Sequence, residues 1–255
     1  MKITVDLLTL TDQTRNMLLK EIADRETLSM LSKDSDREIR ISIAQNKRAP
    51  KEVLSNLAKD KECKVRCEVA KNNRTLPKDL LKLAKDIEVE VRTNVAGNTN
   101  SPAEALEKLA HDSCDQVRQA VAGNIRATKE ILSILARDKN RYIRNAVAYN
   151  DSVYLENLEI LYKDISEFVR FKVASNKRST TKILLKLAED IDDNVRLAVA
   201  ENPNTSPAIL AKLAEDKVPF VRVAVAVNPN TSSESVSILR RDKDKEVRNA
   251  TKLRI

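Results

Sequence analysis

Apolar residues along the chain fall into two short patterns that alternate through most of its length. In the first, Leu54, Leu57 and Ala58 stand at the i, i+3, i+4 spacing of an amphipathic helix. Leu pairs recur at 106 and 109, 132 and 135, 158 and 161, 184 and 187, and 210 and 213. This pattern predicts a helix A. In the second, an apolar residue precedes an Arg, and a Val–Ala pair follows: Val69–Ala70, Val95–Ala96, Val121–Ala122, Val147–Ala148, Val173–Ala174, Val199–Ala200 and Val225–Ala226. It predicts a short helix B, and Ala at every final position predicts that neighbouring helices approach closely there.

The two patterns keep a strict phase. Arg40, Arg66, Arg92, Arg118, Arg144, Arg170, Arg196, Arg222 and Arg248 are each 26 residues apart. Six positions before them stand Asp34, Asp60, Asp86, Asp112, Asp138, Asp164, Asp190, Asp216 and Asp242. Six positions after the first eight stand Asn46, Asn72, Asn98, Asn124, Asn150, Asn176, Asn202 and Asn228. Self-similarity at this period means stacked repeats, here nine two-helix units, and it overrides a domain count based on length.

Local chemistry marks the helix ends. Ser101-Pro-Ala-Glu104 and Thr231-Ser-Ser-Glu234 fit a capping box at the start of helix A, and Pro50, Pro102 and Pro207 lie where the first turn needs no amide hydrogen. The Asn after helix B is read as a residue tolerating the left-handed geometry that closes a helix, in a chain with only two Gly.

Composition adds limits. With no Trp and 3% aromatic residues, the core must be aliphatic. No apolar run approaches membrane-spanning length, and Met1 to Leu10 lacks the layout of a signal peptide, so a cytoplasmic protein with no membrane partner is expected. The net charge of +8 permits an acidic partner without requiring one.

The pattern Leu-Ala-x-Asp-x5-Arg-x-Ala-Val-Ala-x-Asn-Pro, clearest at Leu187 to Pro203 and Leu213 to Pro229, resembles the leucine-rich repeat variant family. Its Asp-x5-Arg element is also similar to HEAT repeats. The resemblance covers residues 26–255 and implies an all-α, right-handed α-solenoid, an alpha-alpha superhelix like those of the bacterial members. It implies a role as an interaction scaffold, but such folds serve diverse partners. From HEAT repeats it carries over a ladder in which each Arg bridges the loop carboxylates of its own and the adjacent repeat, the pairing that partly buried charges require.

With the ladder charges cancelling, function is expected where the copies differ. Positions two before and one, two and five after the Arg fall on the outward side of helix B, which typically lines the concave face of a solenoid. In repeats two to four they are mostly small or polar: Lys64, Glu68 and Lys71, then Glu90, Thr93, Asn94 and Gly97, then Gln116, Gln119 and Gly123. In repeats five to eight they become Tyr142, Asn145 and Tyr149; Phe168, Phe171 and Lys172; Leu197; and Phe220, Val223 and Val227. All three Phe of the chain lie in this stripe, which is the candidate partner-binding surface for a protein or peptide. The competing assignment is inward packing, in which the rings fill gaps left by smaller neighbours.

A second candidate surface is the loop column eight positions after the ladder Arg, with Arg48, Arg74, Arg126 and Arg178. Spaced along one edge, such charges follow a phosphate backbone, and HEAT-like solenoids include DNA-binding and DNA-glycosylase members. Asn100, Ser152, Asn204 and Asn230 interrupt the column, and a solvated edge is its bland reading.

Catalytic chemistry finds little footing. The single His, His111, lies beside Asp112 at a helix end, and two Gly exclude a phosphate loop. No nucleophile elbow or zinc-protease signature is present, and only a lone groove Asp of glycosylase type keeps an enzyme in view. Cys63, Cys67 and Cys114 suit neither a disulfide nor a metal centre, so no cofactor and no metal are expected. Residues 1–25 break the phase and are read as a capping region with an amphipathic helix over Thr11 to Ala23, leaving 26–255 as the repeats. Arg240, Thr251 and Lys252 make the last repeat polar, and a monomer is expected, with Leu253 to Ile255 the one apolar segment suited to dimerisation.

Overall fold

The computed structural model describes residues 24–252. The chain divides into two compact units between Ile131 and Leu132. The first contains α1 (Arg25–Leu31), α2 (Arg37–Gln45), α3 (Lys51–Leu57), α4 (Cys63–Lys71), α5 (Pro77–Leu83), α6 (Val89–Gly97), α7 (Ala103–Leu109) and α8 (Asp115–Gly123). Helix α9 (Lys129–Leu135) contains the division. The second unit continues with α10 (Arg141–Tyr149), α11 (Leu155–Leu161), α12 (Glu167–Ser175), α13 (Thr181–Leu187), α14 (Asp193–Glu201), α15 (Pro207–Leu213), α16 (Pro219–Val227), α17 (Ser233–Leu239) and α18 (Lys245–Ala250). The described residues form an all-α solenoid in which odd numbers are helices A and even numbers helices B. The capping helix expected over Thr11 to Ala23 and the segment Leu253 to Ile255 lie outside the described residues. No helix among them is long and apolar enough to cross a membrane.

Each helix A spans seven residues, too few to be stable alone, so burial must hold it in place. Leu54, Leu80, Leu106, Leu158, Leu184 and Leu210 are fully buried, as are the helix-B residues Val69, Val95, Val121, Val147, Val173, Val199 and Val225. Burial of each such side chain contributes about 1.5 to 3 kcal/mol. Within each unit, successive helices B pack directly against one another, α4 on α6 and α12 on α14, and Ala70, Ala96, Ala174 and Ala200 sit at that joint without exposed surface.

The Arg column forms the ladder, with one correction. Arg144 places Nε 2.6 Å from Asp164 Oδ2 and Nη2 2.9 Å from Oδ1, a fork on the carboxylate of the next repeat. Its remaining nitrogen, Nη1, donates to the backbone carbonyls of Asp138 and Lys139 in its own loop. At Arg144 the expected bridge between two loop carboxylates is therefore a bridge between one carboxylate and one pair of carbonyls, while Arg196 also reaches Asp193 in its own repeat at 2.6 Å. The own-repeat Asp points its carboxylate elsewhere: Asp60 Oδ1 accepts from the Glu62 amide while Arg40 of the preceding repeat holds the group at 2.7 Å. The same fork joins Arg66 to Asp86 and Arg92 to Asp112 in the first unit. In the second it joins Arg170 to Asp190, Arg196 to Asp216 and Arg222 to Asp242. Burial pushes the Asp60 carboxyl pKa up, but bonds from Arg40 and the Glu62 amide, with the charges of Arg40 and Arg66, outweigh it and leave the pKa below the usual value. Asp86, Asp112, Asp190 and Asp216 follow the same balance, so the pairs stay ionised at neutral pH.

The Asn column does something other than what its residue type suggested. Among the described residues no non-glycine residue has positive φ, and Asn98 has φ −75° and ψ 125°. The left-handed explanation is therefore wrong. All of these Asn except the half-buried Asn176 are buried, and Asn98 Nδ2 donates to Ala70 O at 2.6 Å and Asn72 O at 3.2 Å, both in the preceding repeat. Its Oδ1 accepts from the Asn100 amide at 2.8 Å. Asn72 and Asn124 repeat the arrangement in the first unit, Asn202 and Asn228 in the second. One side-chain amide thus satisfies carbonyls left over at the end of one helix B and shapes the loop after the next.

The capping boxes are also absent. Helix α7 starts after Pro102, with no side-chain cap, and Ser101 Oγ instead donates to Val95 O at 2.6 Å. Thr231 Oγ1 donates to Val225 O at 2.6 Å, and Thr75, Ser179 and Thr205 do the same in their own repeats. The hydroxyl closes the helix behind it rather than opening the one ahead. Pro50 and Pro102 occupy N-cap positions, whereas Pro207 is the first residue of its helix.

Arg144→Ala strands a half-buried carboxylate and two loop carbonyls, and should cost about 3 kcal/mol in urea unfolding. Arg48→Ala, on an exposed side chain, should be close to neutral; equal losses would contradict the ladder. Asn98→Ala and Asn98→Gly should each cost about 2 kcal/mol, because both orphan buried carbonyls. Rescue by Gly would restore the left-handed explanation.

Candidate functional site

The stripe from repeats five to eight lies on the helices B of the second unit. Tyr142 and Tyr149 are 59% and 70% exposed, and Phe168 and Phe220 are 57% and 44% exposed. The rings at these four positions face solvent and do not fill the core. Phe171, Lys172, Leu197 and Val223 are half-buried beside them, each at the first position after a ladder Arg or next to it. Helical phase explains the difference. Residues 142, 168 and 220 stand one before the fully buried Val or Ile that precedes the Arg, whereas 171, 197 and 223 lean toward the next helix B.

Two cations organise the rings of repeats five and six. The Arg141 guanidinium lies 5.1 Å from the Tyr142 ring centre and 5.3 Å from that of Phe168, joining two successive helices B, α10 and α12. The Lys172 ammonium lies 4.9 Å from the Tyr149 ring and 5.8 Å from the Phe171 ring. Asn145 Nδ2 donates to Phe168 O at 3.1 Å, pinning α10 to the first turn of α12. Sequence reasoning missed Arg141; the available signal was a cation beside the variable column, three positions before the ladder Arg.

Below this cluster an open notch of about 380 Å³ is lined by Tyr149, Asp151, Lys172, Ser175, Lys177 and Arg178. The first unit has the notch of the same register, about 330 Å³, with Gln45, Lys47, Glu68, Lys71 and Arg74. There Lys71 is paired with Glu68 at 2.9 Å and no aromatic is present. The aromatic notch also joins residues from both predicted surfaces, Tyr149 and Lys172 from the stripe and Arg178 from the loop column.

The loop column itself has a structural task. Arg74 Nε donates to Ala49 O at 3.1 Å, Arg126 Nε to Thr99 O at 3.2 Å and Arg178 Nη1 to Asp151 O at 3.3 Å. The Asn residues that interrupt the column do the same: Asn100 donates to Asn73 O, Asn204 to Lys177 O and Asn230 to Pro203 O. Arg and Asn here share a bond to the preceding repeat, so their alternation leaves that joint in place. The cationic ends of Arg48, Arg74, Arg126 and Arg178 remain exposed.

Also missed were Ile87, Ile165 and Ile191, 85%, 90% and 89% exposed and one position after the ladder Asp, where the remaining repeats carry Ser or Lys such as Lys139 and Lys217. His111 is exposed, and Cys67 is buried, which pushes its thiol up to about 11 and leaves it a poor nucleophile at neutral pH. Among the described residues no group of three or more metal-ligating side chains comes together.

Comparison with known proteins follows this geometry. The profile of the "Leucine Rich Repeat Variant domain" matches residues 195–254, and that of the "Leucine rich repeat variant" matches residues 89–113. A solved structure described as a leucine-rich repeat variant with a novel repetitive protein structural motif shares 30% identity. The match covers 86% of this chain and 87% of the other, with a TM-score of 0.65. The Escherichia coli protein YibA is 17% identical over 96% of each chain, with a TM-score of 0.40. A chain of the Pds5–Scc1 complex is 14% identical over 98% of this chain and 62% of that one, with a TM-score of 0.32. No curated protein matches the chain.

Arg126→Asn should leave the unfolding midpoint unchanged, since Asn makes the same bond in other repeats, whereas Arg126→Ala should lower stability by about 1 kcal/mol. Equal effects of the two substitutions in urea melts would remove the structural task assigned to the column.

Proposed function

Because the chain belongs to the leucine-rich repeat variant family, we propose that it is a non-enzymatic binding scaffold that recognises a protein or peptide with the helix-B face of its second unit. The observation that carries this reading is the exposure of Tyr142, Tyr149, Phe168 and Phe220 on that face. Exposed rings on the helices B of repeats five, six and eight cost solubility and contribute little to the fold, and aromatic anchors dominate protein interfaces. Within each unit helices B pack on one another while direct contact between successive helices A is slight, which supports reading the B side as the inner side of a bend. A groove so lined accepts an extended segment or a helix.

The same residues would anchor a partner: Tyr142, Tyr149, Phe168 and Phe220 as exposed rings, with Phe171, Lys172, Leu197 and Val223 as the floor between them. The nucleic-acid alternative rests on Arg48, Arg74, Arg126 and Arg178, and the last three of these already bond the preceding repeat.

Tyr142→Ser, Phe168→Ser and Phe220→Ser combined should leave helicity and melting temperature within a few degrees of the parent, because exposed substitutions cost little. Phe171 is kept, since its half-buried ring supports the fold. The triple variant should lose the partner that the parent protein cross-links in extract. A large fall in melting temperature would return the rings to the core, and unchanged cross-linking would place the binding surface elsewhere.

A further inference from the structure

Building on the proposed binding role of the helix-B face, we infer that its partner is an acidic, partly apolar extended peptide, read by the cation-covered rings of repeats five and six. The ring faces most exposed on this surface are not bare. Arg141 lies over Tyr142 and Phe168, and Lys172 lies over Tyr149 and Phe171, so each ring pair presents a positive charge to whatever approaches. An ammonium held against a ring keeps its charge and loses much of its hydration, which prepares it for a carboxylate.

Lys172, Lys177 and Arg178 line the notch beside Tyr149, and Asp151 is the one carboxylate among its lining residues. With Arg141 on the other side and Glu167 next to Phe168, this part of the face carries four cations against two carboxylates. In the first unit the notch of the same register has Glu68 paired to Lys71 and Gln45 in place of the ring, so the free charge and the aromatic surface coincide only in the second.

The charge pattern also distinguishes partner classes. A continuous phosphate strand would meet Glu167 and Asp151 among the cations. A peptide with discrete carboxylates avoids that conflict. Phe168 and Lys172 are four residues apart on α12, about 6 Å along the helix axis. Two residues of extended peptide span about the same distance. The geometry thus points to an apolar residue and a carboxylate two positions apart, the first against Phe168, the second at Lys172 in the notch.

The test is selection of a random dodecapeptide display library on the full-length chain, followed by fluorescence anisotropy of the recovered peptides. Support would be enrichment of Asp or Glu two positions from an apolar residue, with binding weakened about tenfold or more by Lys172→Glu with Lys177→Glu. Replacing the peptide's acids by amides should weaken it equally. Circular dichroism would confirm that the charge-reversed protein remains folded, and Lys172→Gln with Lys177→Gln, which reverses no charge, should show a smaller loss in the same direction. Recovered peptides that are neutral or basic, or indifferent to both charge variants, would overturn the acidic assignment. If those peptides were still lost with the Tyr142, Phe168 and Phe220 substitutions, the proposed binding face would stand without it. Peptides indifferent to the aromatic substitutions, or no enrichment at all, would overturn both. Displacement of the peptide by oligothymidylate at lower concentration than by free peptide would assign the cations to nucleic acid instead.

Discussion

A guanidinium in this solenoid serves two repeats at once. Two of its nitrogens grip the carboxylate of the next repeat, and the third gathers the carbonyls of the loop it started from, as Arg144 does with Asp164, Asp138 and Lys139. The loop between helices A and B is too short to satisfy its own carbonyls, so the next layer cannot be added without fixing the loop beneath it. Everything else in a repeat follows from that constraint. The seven-residue helix A is positioned because its following loop is held, and helix B because it carries the Arg. The Ala joint between helices B stays close because the fork spans the same gap at its other end.

The Asn side chain is the matching fastener at the opposite end of helix B. Where the Arg binds a charged group, Asn98 binds only neutral backbone groups, two carbonyls and one amide, and these three bonds are worth most because the site is buried. The repeat is therefore clamped at both ends of helix B, by charge at the start and by a neutral amide at the finish. The face between the two clamps is left to vary, and in the second unit it carries the exposed rings.

Periodicity made the fold legible. It located both helices, their phase and the Ala joint, because a column of one residue type at one interval can only mean one recurring environment; the Arg–Asp pairing came with the resemblance to HEAT repeats. It did not identify the atoms in that environment. Asn98 was read through its backbone tolerance, although its amide group makes the contact; Ser101 was read forward into the next helix, although its hydroxyl turns back to Val95. Both misreadings came from local rules applied at positions where the decisive partner is a whole repeat, or a helix, away. On the candidate site, sequence alone placed Tyr142, Phe168 and Phe220 on the variable side of helix B. It missed Arg141, since a cation's position over a ring depends on two helices whose spacing is not written in either.

The exchange of Arg and Asn in the loop column has a consequence for how such a chain can change over time. Arg74, Asn100, Arg126 and Asn204 make one kind of joint with two different charges. Each repeat can therefore gain or lose a unit of charge while its seam stays intact, which uncouples the electrostatic potential of the surface from the integrity of the stack. Encounter rates and non-specific attraction can drift along the edge, repeat by repeat, under selection that the packing never feels.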